Sequence, residues 1–317
     1  MSLRRSFVVL VALGSAAVLA ACATAVDSPA PTGSAQPDAG STPPKKDSGT
    51  TKPPDAQAPP TEDAGAPPIV DASVPDVAPP PVPLVYGHTA DTLFVFDPKT
   101  SALSQIGTLS GCTQSLFTYV MDLAIDETGQ GYATTSDGLY SVDLTTAVCT
   151  KIMAGGYPNS LAFVPKGTLD ANDEVLVGYI GGAYFRIDRT TGQSTNIGNL
   201  GGGYASSGDM VSVKGGGTFL TVTGNGCADC VLQVDPITGA MVQNYGSLGH
   251  GAVYGLAYWA GALYGFDESG SVFAITGGNG TQATTQNVLS GQPKWWGAAS
   301  STSAPLLDGD GGSIATQ

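Results

Sequence analysis

Basic residues are scarce in this chain. Lys and Arg together number 12 against 26 Asp and Glu, a net charge of −14. A protein that neutralises nucleic-acid phosphates needs a basic face, so no nucleic-acid partner is expected. Charged residues of both signs make up only 12% of the chain, which argues against long helices and coiled coils. His88 and His250 are the only histidines. Two are too few for a histidine-rich metal centre or a His-Glu-x-x-His helix. No Gly-x-Ser-x-Gly elbow occurs. Gly201–Gly203 and Gly215–Gly217 have no phosphate-loop Lys-Ser/Thr behind them and read as turns. No cofactor and no metal is expected. Proline thins out after residue 83, with sixteen of the 22 in residues 23–83, and that stretch has no aromatic residue.

What is present begins with a short basic start, Arg4 and Arg5, and an apolar run from Phe7 to Ala21. The run is too short for a comfortable membrane span and reads as a secretory signal. It ends in Leu19-Ala20-Ala21-Cys22, which resembles a bacterial lipoprotein lipobox. The resemblance implies a signal peptide over 1–21, cleavage before Cys22 and acylation of its thiol. The membrane then becomes a partner through acyl chains, each buried methylene contributing about 0.8 kcal/mol. Ala23, rather than Asp, after the cysteine fits an outer-membrane location in the cell envelope. Arg4-Arg5-Ser6-Phe7 also partly resembles a twin-arginine signal, against general secretion as the simpler reading.

Residues 22–83 carry the lipidated cysteine and a Pro/Ala/Asp-rich tether that cannot bury enough apolar area to offset its ordering entropy. At about 3.1 Å per residue in polyproline II it reaches at most about 190 Å. Residues 301–317 are polar and Gly-rich and read as a disordered tail. Asp308-Gly-Asp310 lacks the further ligands and closing Glu of a calcium loop.

Residues 84–300 repeat a phrase of apolar strand, acid and polar turn. It occurs as Leu93-Phe-Val-Phe-Asp97, Leu139-Tyr-Ser-Val-Asp143, Tyr184-Phe-Arg-Ile-Asp188 and Leu232-Gln-Val-Asp235, and more weakly as Val272-Phe-Ala-Ile-Thr276. The intervals are 46, 45, 47 and 41 residues. Alternation makes half-buried strands, and Asp with Gly makes reversing turns. A second short strand precedes each phrase, and a small-residue strand precedes that one: Met121–Ile125, Ser160–Val164, Asp209–Val213, Gly255–Tyr258. Four antiparallel strands in about 45 residues make one propeller blade. The first blade lacks its innermost strand, and Trp295-Trp-Gly-Ala-Ala299 matches it. The expectation is therefore all-β: a single five-bladed β-propeller, closed by the C-terminal strand 295–300 joining 84–109. The other blades fall at 119–154, 158–200, 206–249 and 253–290. Six blades would leave about 36 residues each and stay open; seven would leave about 31, too few for four strands. The phrase resembles bacterial propeller repeats of the surface-layer and quinoprotein-dehydrogenase-like kind, which specify fold rather than function.

Besides Cys22 four cysteines remain, an even number in an exported chain. Cys227-Ala-Asp-Cys230 reads as a local bridge across a turn, since redox-active pairs use a helix N-terminus and zinc needs more ligands. Cys112 and Cys149 would then pair across the second blade.

Aligning the inner strands puts Asp122, Ser160, Asp209, Gly255 and Gly297 at one position, and Met121, Asn159, Gly208, Tyr254 and Trp296 just before it. Asp122, Asn159, Ser160, Asp209, Tyr254, Trp295 and Trp296 are the candidate ligand-binding residues at the channel mouth. Two acids among aromatic and amide groups suit a sugar, a cation or a peptide. The competing reading is that the acids accept backbone amides and that the tryptophans seal the closing blade. The turn acids Asp97, Asp143, Asp188 and Asp235 read as turn formers. The leading expectation is a non-catalytic binding or scaffold module at the envelope, with a glycan or envelope protein as ligand. The alternatives are a purely structural envelope protein and a carbohydrate-active enzyme. Five-bladed glycan hydrolases use acids in this region, so Asp122 and Asp209 are the candidate catalytic pair, although no Glu accompanies them.

Overall fold

A computed structural model describes residues 85–113, 118–277 and 282–307. The expected signal peptide (1–21), the lipidation site Cys22 and the tether to residue 83 lie outside the described residues, as do residues 308–317 of the tail.

The repeated phrase folds as expected. Blade 1 combines β1 (Val85–His88), β2 (Thr92–Asp97) and β3 (Ala102–Thr108) with a strand from the far end of the chain. Blade 2 holds β4 (Val120–Ile125), β5 (Gly131–Thr135), β6 (Gly138–Asp143) and β7 (Val148–Ala154). Blade 3 holds β8 (Ser160–Val164), β9 (Val175–Ile180), β10 (Ala183–Ile187) and β11 (Ser194–Asn199). Blade 4 holds β12 (Tyr204–Val213), β13 (Gly217–Gly224), β14 (Cys227–Val234) and β15 (Met241–Ser247). Blade 5 holds β16 (Val253–Trp259), β17 (Ala262–Asp267), β18 (Val272–Thr276) and β19 (Thr284–Leu289). The last strand, β20 (Gly297–Ala299), pairs antiparallel with β1 and completes blade 1. Every sheet is antiparallel, and the inner strands β4, β8, β12, β16 and β20 stand side by side in a closed ring. This is a five-bladed β-propeller.

Inner strands have neighbours on both faces, so they are buried almost without alternation, as in Ser160–Val164. Outermost strands carry Ser, Thr, Asn and Gln and stay largely exposed, as in β11 and β19. That polar edge discourages pairing with other chains. Between blades lie the apolar clusters: Val85, Phe96, Phe266 and Trp295 fill the seam of blades 5 and 1, and Tyr179, Tyr184, Val222 and Leu232 that of blades 3 and 4. Each such side chain contributes roughly 1.5–3 kcal/mol on burial.

The recurrent turn acids act on their own backbone. Asp97 accepts from Lys99 N at 2.9 Å, Asp143 from Thr145 N at 2.8 Å, Asp188 from Thr190 N at 2.8 Å and Asp235 from Ile237 N at 2.7 Å. The turn of blade 4 also leans on the preceding blade. Gly239, at φ 69°, lies against the ring of Tyr184, whose neighbour Tyr179 donates its hydroxyl to Gly239 O at 2.7 Å. A side chain there would need both a left-handed backbone and space the ring occupies.

Both cysteine pairs are joined. Cys112–Cys149 ties the connection between blades 1 and 2 to β7, beside the bond from Cys149 N to Ser110 O at 2.7 Å. Cys227–Cys230 closes the start of β14.

Residues 301–307, expected to open a disordered tail, have a defined place in the fold. Residues 301–307 pack across the end of the channel where the inner strands finish. Ser301 forms a parallel bridge with Ile125 and donates its hydroxyl to Asp126 O at 2.9 Å. Lys214 N donates to Thr302 O at 2.9 Å, Ala260 N donates to Pro305 O at 2.7 Å, and the Thr302 hydroxyl donates to buried Glu174. The segment thus bonds to blades 2, 3, 4 and 5, satisfying amides the inner strands leave open.

Candidate functional site

The aligned inner-strand position lies on the propeller axis. Three inner strands are irregular at this level. β4 bulges between Val120 and Asp122, β16 between Val253 and Gly255, and β12 places Ser207, Gly208 and Asp209 opposite Thr221 alone. Bulges re-aim side chains, and here they turn Asp122 and Asp209 inward. The Thr221 hydroxyl accepts from Asp209 N at 2.9 Å, replacing a lost ladder bond.

Both carboxylates are fully buried. Asp122 accepts from Leu123 N at 2.8 Å and from Leu161 N at 2.5 Å. Asp209 accepts from Met210 N at 2.6 Å, Leu256 N at 2.7 Å and Ala298 N at 3.1 Å. These five amides are equivalent, one from each inner strand. Two acids therefore clasp all five blades at the axis. Burial, and then the charge of Asp209, holds the Asp122 carboxyl well above the usual carboxylate range. Burial raises Asp209 as well, opposed by its amide donors and by the hydrogen bond from Asp122. Both carboxyls therefore hold a proton to higher pH than a free aspartate does, because two bare carboxylates cannot share a dry site.

Side-chain size is balanced around this ring. Where the axial residue is glycine, the residue opposite it on the second strand is large: Gly255 faces Phe266 and Gly297 faces His88. A Cβ at Gly297 would collide with His88 Nε2 and lie 2.9 Å from Asp122 Oδ1. His88 is buried and donates from Nδ1 to Thr89 O at 2.7 Å, while its Nε2 has no protein partner. Burial lowers its pKa to about 4, so the ring is neutral beside the acid pair. Beyond the acids the channel is lined by Leu123, Ile125, Leu161, Phe163 and Met210 and leaves about 10 Å³, room for no more than one water.

This geometry revises three sequence expectations. Asp122 and Asp209 are not at the mouth: they lie beneath it, with no exposed surface for a substrate and their oxygens taken by amides. Ser160 is also buried, its hydroxyl accepting Tyr179 N at 3.0 Å. Trp295 is a core residue, edge-on to Phe94 and Phe266 at 5.3 Å each. What surrounds the mouth is the preceding position. Met121, Tyr254 and Trp296 are half-buried there and Asn159 is exposed. Tyr119, which the alignment of strands passed over, joins them with its ring 4.8 Å from that of Trp296. Among the described residues no cluster of three His, Cys, Asp or Glu side chains could hold a metal ion.

No protein-family model and no curated protein matches this sequence. Solved structures do resemble the fold. A chain of a nidogen/laminin complex is 11% identical, with a TM-score of 0.44 over 71% of this chain and 99% of its own length. A protein of unknown function from Bacteroides caccae is 9% identical, with a TM-score of 0.39 over 69% of this chain and 98% of its own. A chain of a mitotic checkpoint complex is 12% identical, with a TM-score of 0.37 over 68% and 77%.

Proposed function

We propose that this chain is an exported lipoprotein, acylated at Cys22 and held in the outer membrane, whose propeller serves as a non-catalytic binding module at the cell envelope. One observation carries the reading. The acids that would perform chemistry are consumed in holding the blades together, while the starts of the inner strands above them present Met121, Asn159, Tyr254 and Trp296 with Tyr119. Aromatic faces stack on sugar rings or peptide side chains, and an amide orients a polar partner. The ligand is a glycan or an envelope protein. The surface-layer-like repeat and the long tether suit display of such a module away from a membrane. Glycan-array binding of wild type, lost in Tyr254→Ala and Trp296→Ala, is the expected result. An array and an envelope-protein overlay with no saturable signal would refute the binding role. Anchoring is tested separately: wild type should fractionate with membranes and Cys22→Ala should not.

A further inference from the structure

Cations are few enough in this propeller to be followed one by one. Lys151 pairs with Asp137 at 2.8 Å, Arg186 with Asp170 at 3.5 Å, Arg189 with Asp126 at 3.2 Å and Lys294 with Glu268 at 3.1 Å. Lys99 is engaged as well. Among the described residues that leaves Lys166 and Lys214, and both line one groove of about 350 Å³ between blades 3 and 4. Lys166 follows β8 and Lys214 follows β12, at the strand ends opposite the mouth.

The acids that adjoin the groove's lining segments, Asp170 and Asp235, are engaged elsewhere. The Asp170 carboxylate takes the amides of Asn172 and Asp173 and pairs with Arg186. The Asp235 carboxylate takes the amides of Ile237 and Thr238. The backbone of Lys214 is fixed by its bond to Thr302 O, so its place at the groove edge is set by the ordered tail. The remaining lining is uncharged and mixed: Thr168 and Gln233 are polar, the Ser212 and Thr218 hydroxyls bond each other at 2.7 Å, and Pro165 and Pro236 are apolar. Two lysines without an ion-pair partner thus line one concavity in a chain of net charge −14. Ammonium groups act as point charges and take carboxylate or phosphate without demanding one geometry. Hydroxyl and amide groups beside them suit a body that is itself rich in hydroxyls. The volume lies at the lower end of small-ligand sites.

We propose that the groove between blades 3 and 4 binds a small polyhydroxylated anion, a sugar acid or sugar phosphate, with Lys166 and Lys214 holding its charge. The site is separate from the mouth and does not depend on the function assigned there. Isothermal titration of the full chain with a glucuronate-containing disaccharide, glucose 6-phosphate, inorganic phosphate and an uncharged disaccharide tests it. The sugar acid or the sugar phosphate should bind at least tenfold more tightly than both the neutral sugar and inorganic phosphate. Lys166→Gln with Lys214→Gln should weaken that binding at least tenfold, and Trp296→Ala should leave it unchanged. Both lysines are exposed, so the double variant should keep the wild-type melting temperature. Equal binding of neutral and acidic sugars, or no loss in the double variant, would overturn the proposal. So would binding seen only after Asp308→Asn with Asp310→Asn, which would give the groove to the chain's own tail, and so would no binding at all.

Discussion

Replacing Asp209 with alanine would strip the acceptor from three inner-strand amides at once: Met210, Leu256 and Ala298. Each buried donor left without a partner costs about 1–3 kcal/mol. The sum is about 3–9 kcal/mol, comparable with the whole stability of an ordinary domain. Asp209→Asn keeps one acceptor oxygen and strands about one amide, so it should cost about 1–3 kcal/mol. Asp122→Asn should cost a similar amount, yet with a different pH dependence. The folded pKa of Asp122 is raised above its ordinary 3.8, so the folded state holds a proton that the unfolded chain releases. Its contribution is fully present below 3.8 and is lost as pH rises towards the folded value. The stability difference between wild type and Asp122→Asn should therefore shrink as pH climbs above 4. Urea unfolding at a series of pH values, followed through buried Trp259 and Trp295, reads both quantities. Comparing the two proteins cancels the opposite trend of acids such as Asp137 and Asp188, whose hydrogen bonds lower their pKa. A difference that stays flat or grows from pH 4 to 8, or an Asp209→Ala protein as stable as wild type, would refute the clasp.

Adjacent tryptophans should behave oppositely. Trp295→Ala should cost about 3–5 kcal/mol in chemical unfolding, while Trp296→Ala should leave stability nearly unchanged and remove ligand binding at the mouth alone. Replacing Cys112 and Cys149 with alanine opens a loop spanning 37 positions and should cost about 4 kcal/mol by the chain-entropy estimate, measured by denaturation under oxidising conditions. Ending the chain at Ser300 removes the bonds to Asp126, Glu174, Lys214 and Ala260 and should lower the melting temperature, whereas ending it at Leu307 should not.

The blade architecture was legible because each phrase states its own physics: alternation for a strand, Asp for a turn, a recurring interval for a blade. The axial acids could be located by aligning short strands, but their depth could not. Depth depends on bulges at Met121, Tyr254 and Ser207-Gly208, which follow from how strands pair and leave no mark in a single strand's pattern. The same holds for His88, whose place opposite Gly297 is a matter of register. Residues 301–307 read as a tail because Ser, Thr and Ala carry little side-chain signal. Their packing is largely a backbone affair, set by open amides at Lys214 and Ala260. Trp295 and Trp296 are alike in composition, and one residue of phase sends one into the seam and the other to the rim.

The closing blade also has a mechanical meaning. The first strand of the propeller is not an edge: β1 is hydrogen-bonded to β2 on one side and to β20 on the other. A pull on the chain at Val85 would load two ladders in parallel and in shear, breaking their bonds together. A tether joined to an outermost strand would instead be peeled away one bond at a time. The place where this chain enters its ring is therefore the place best able to bear tension.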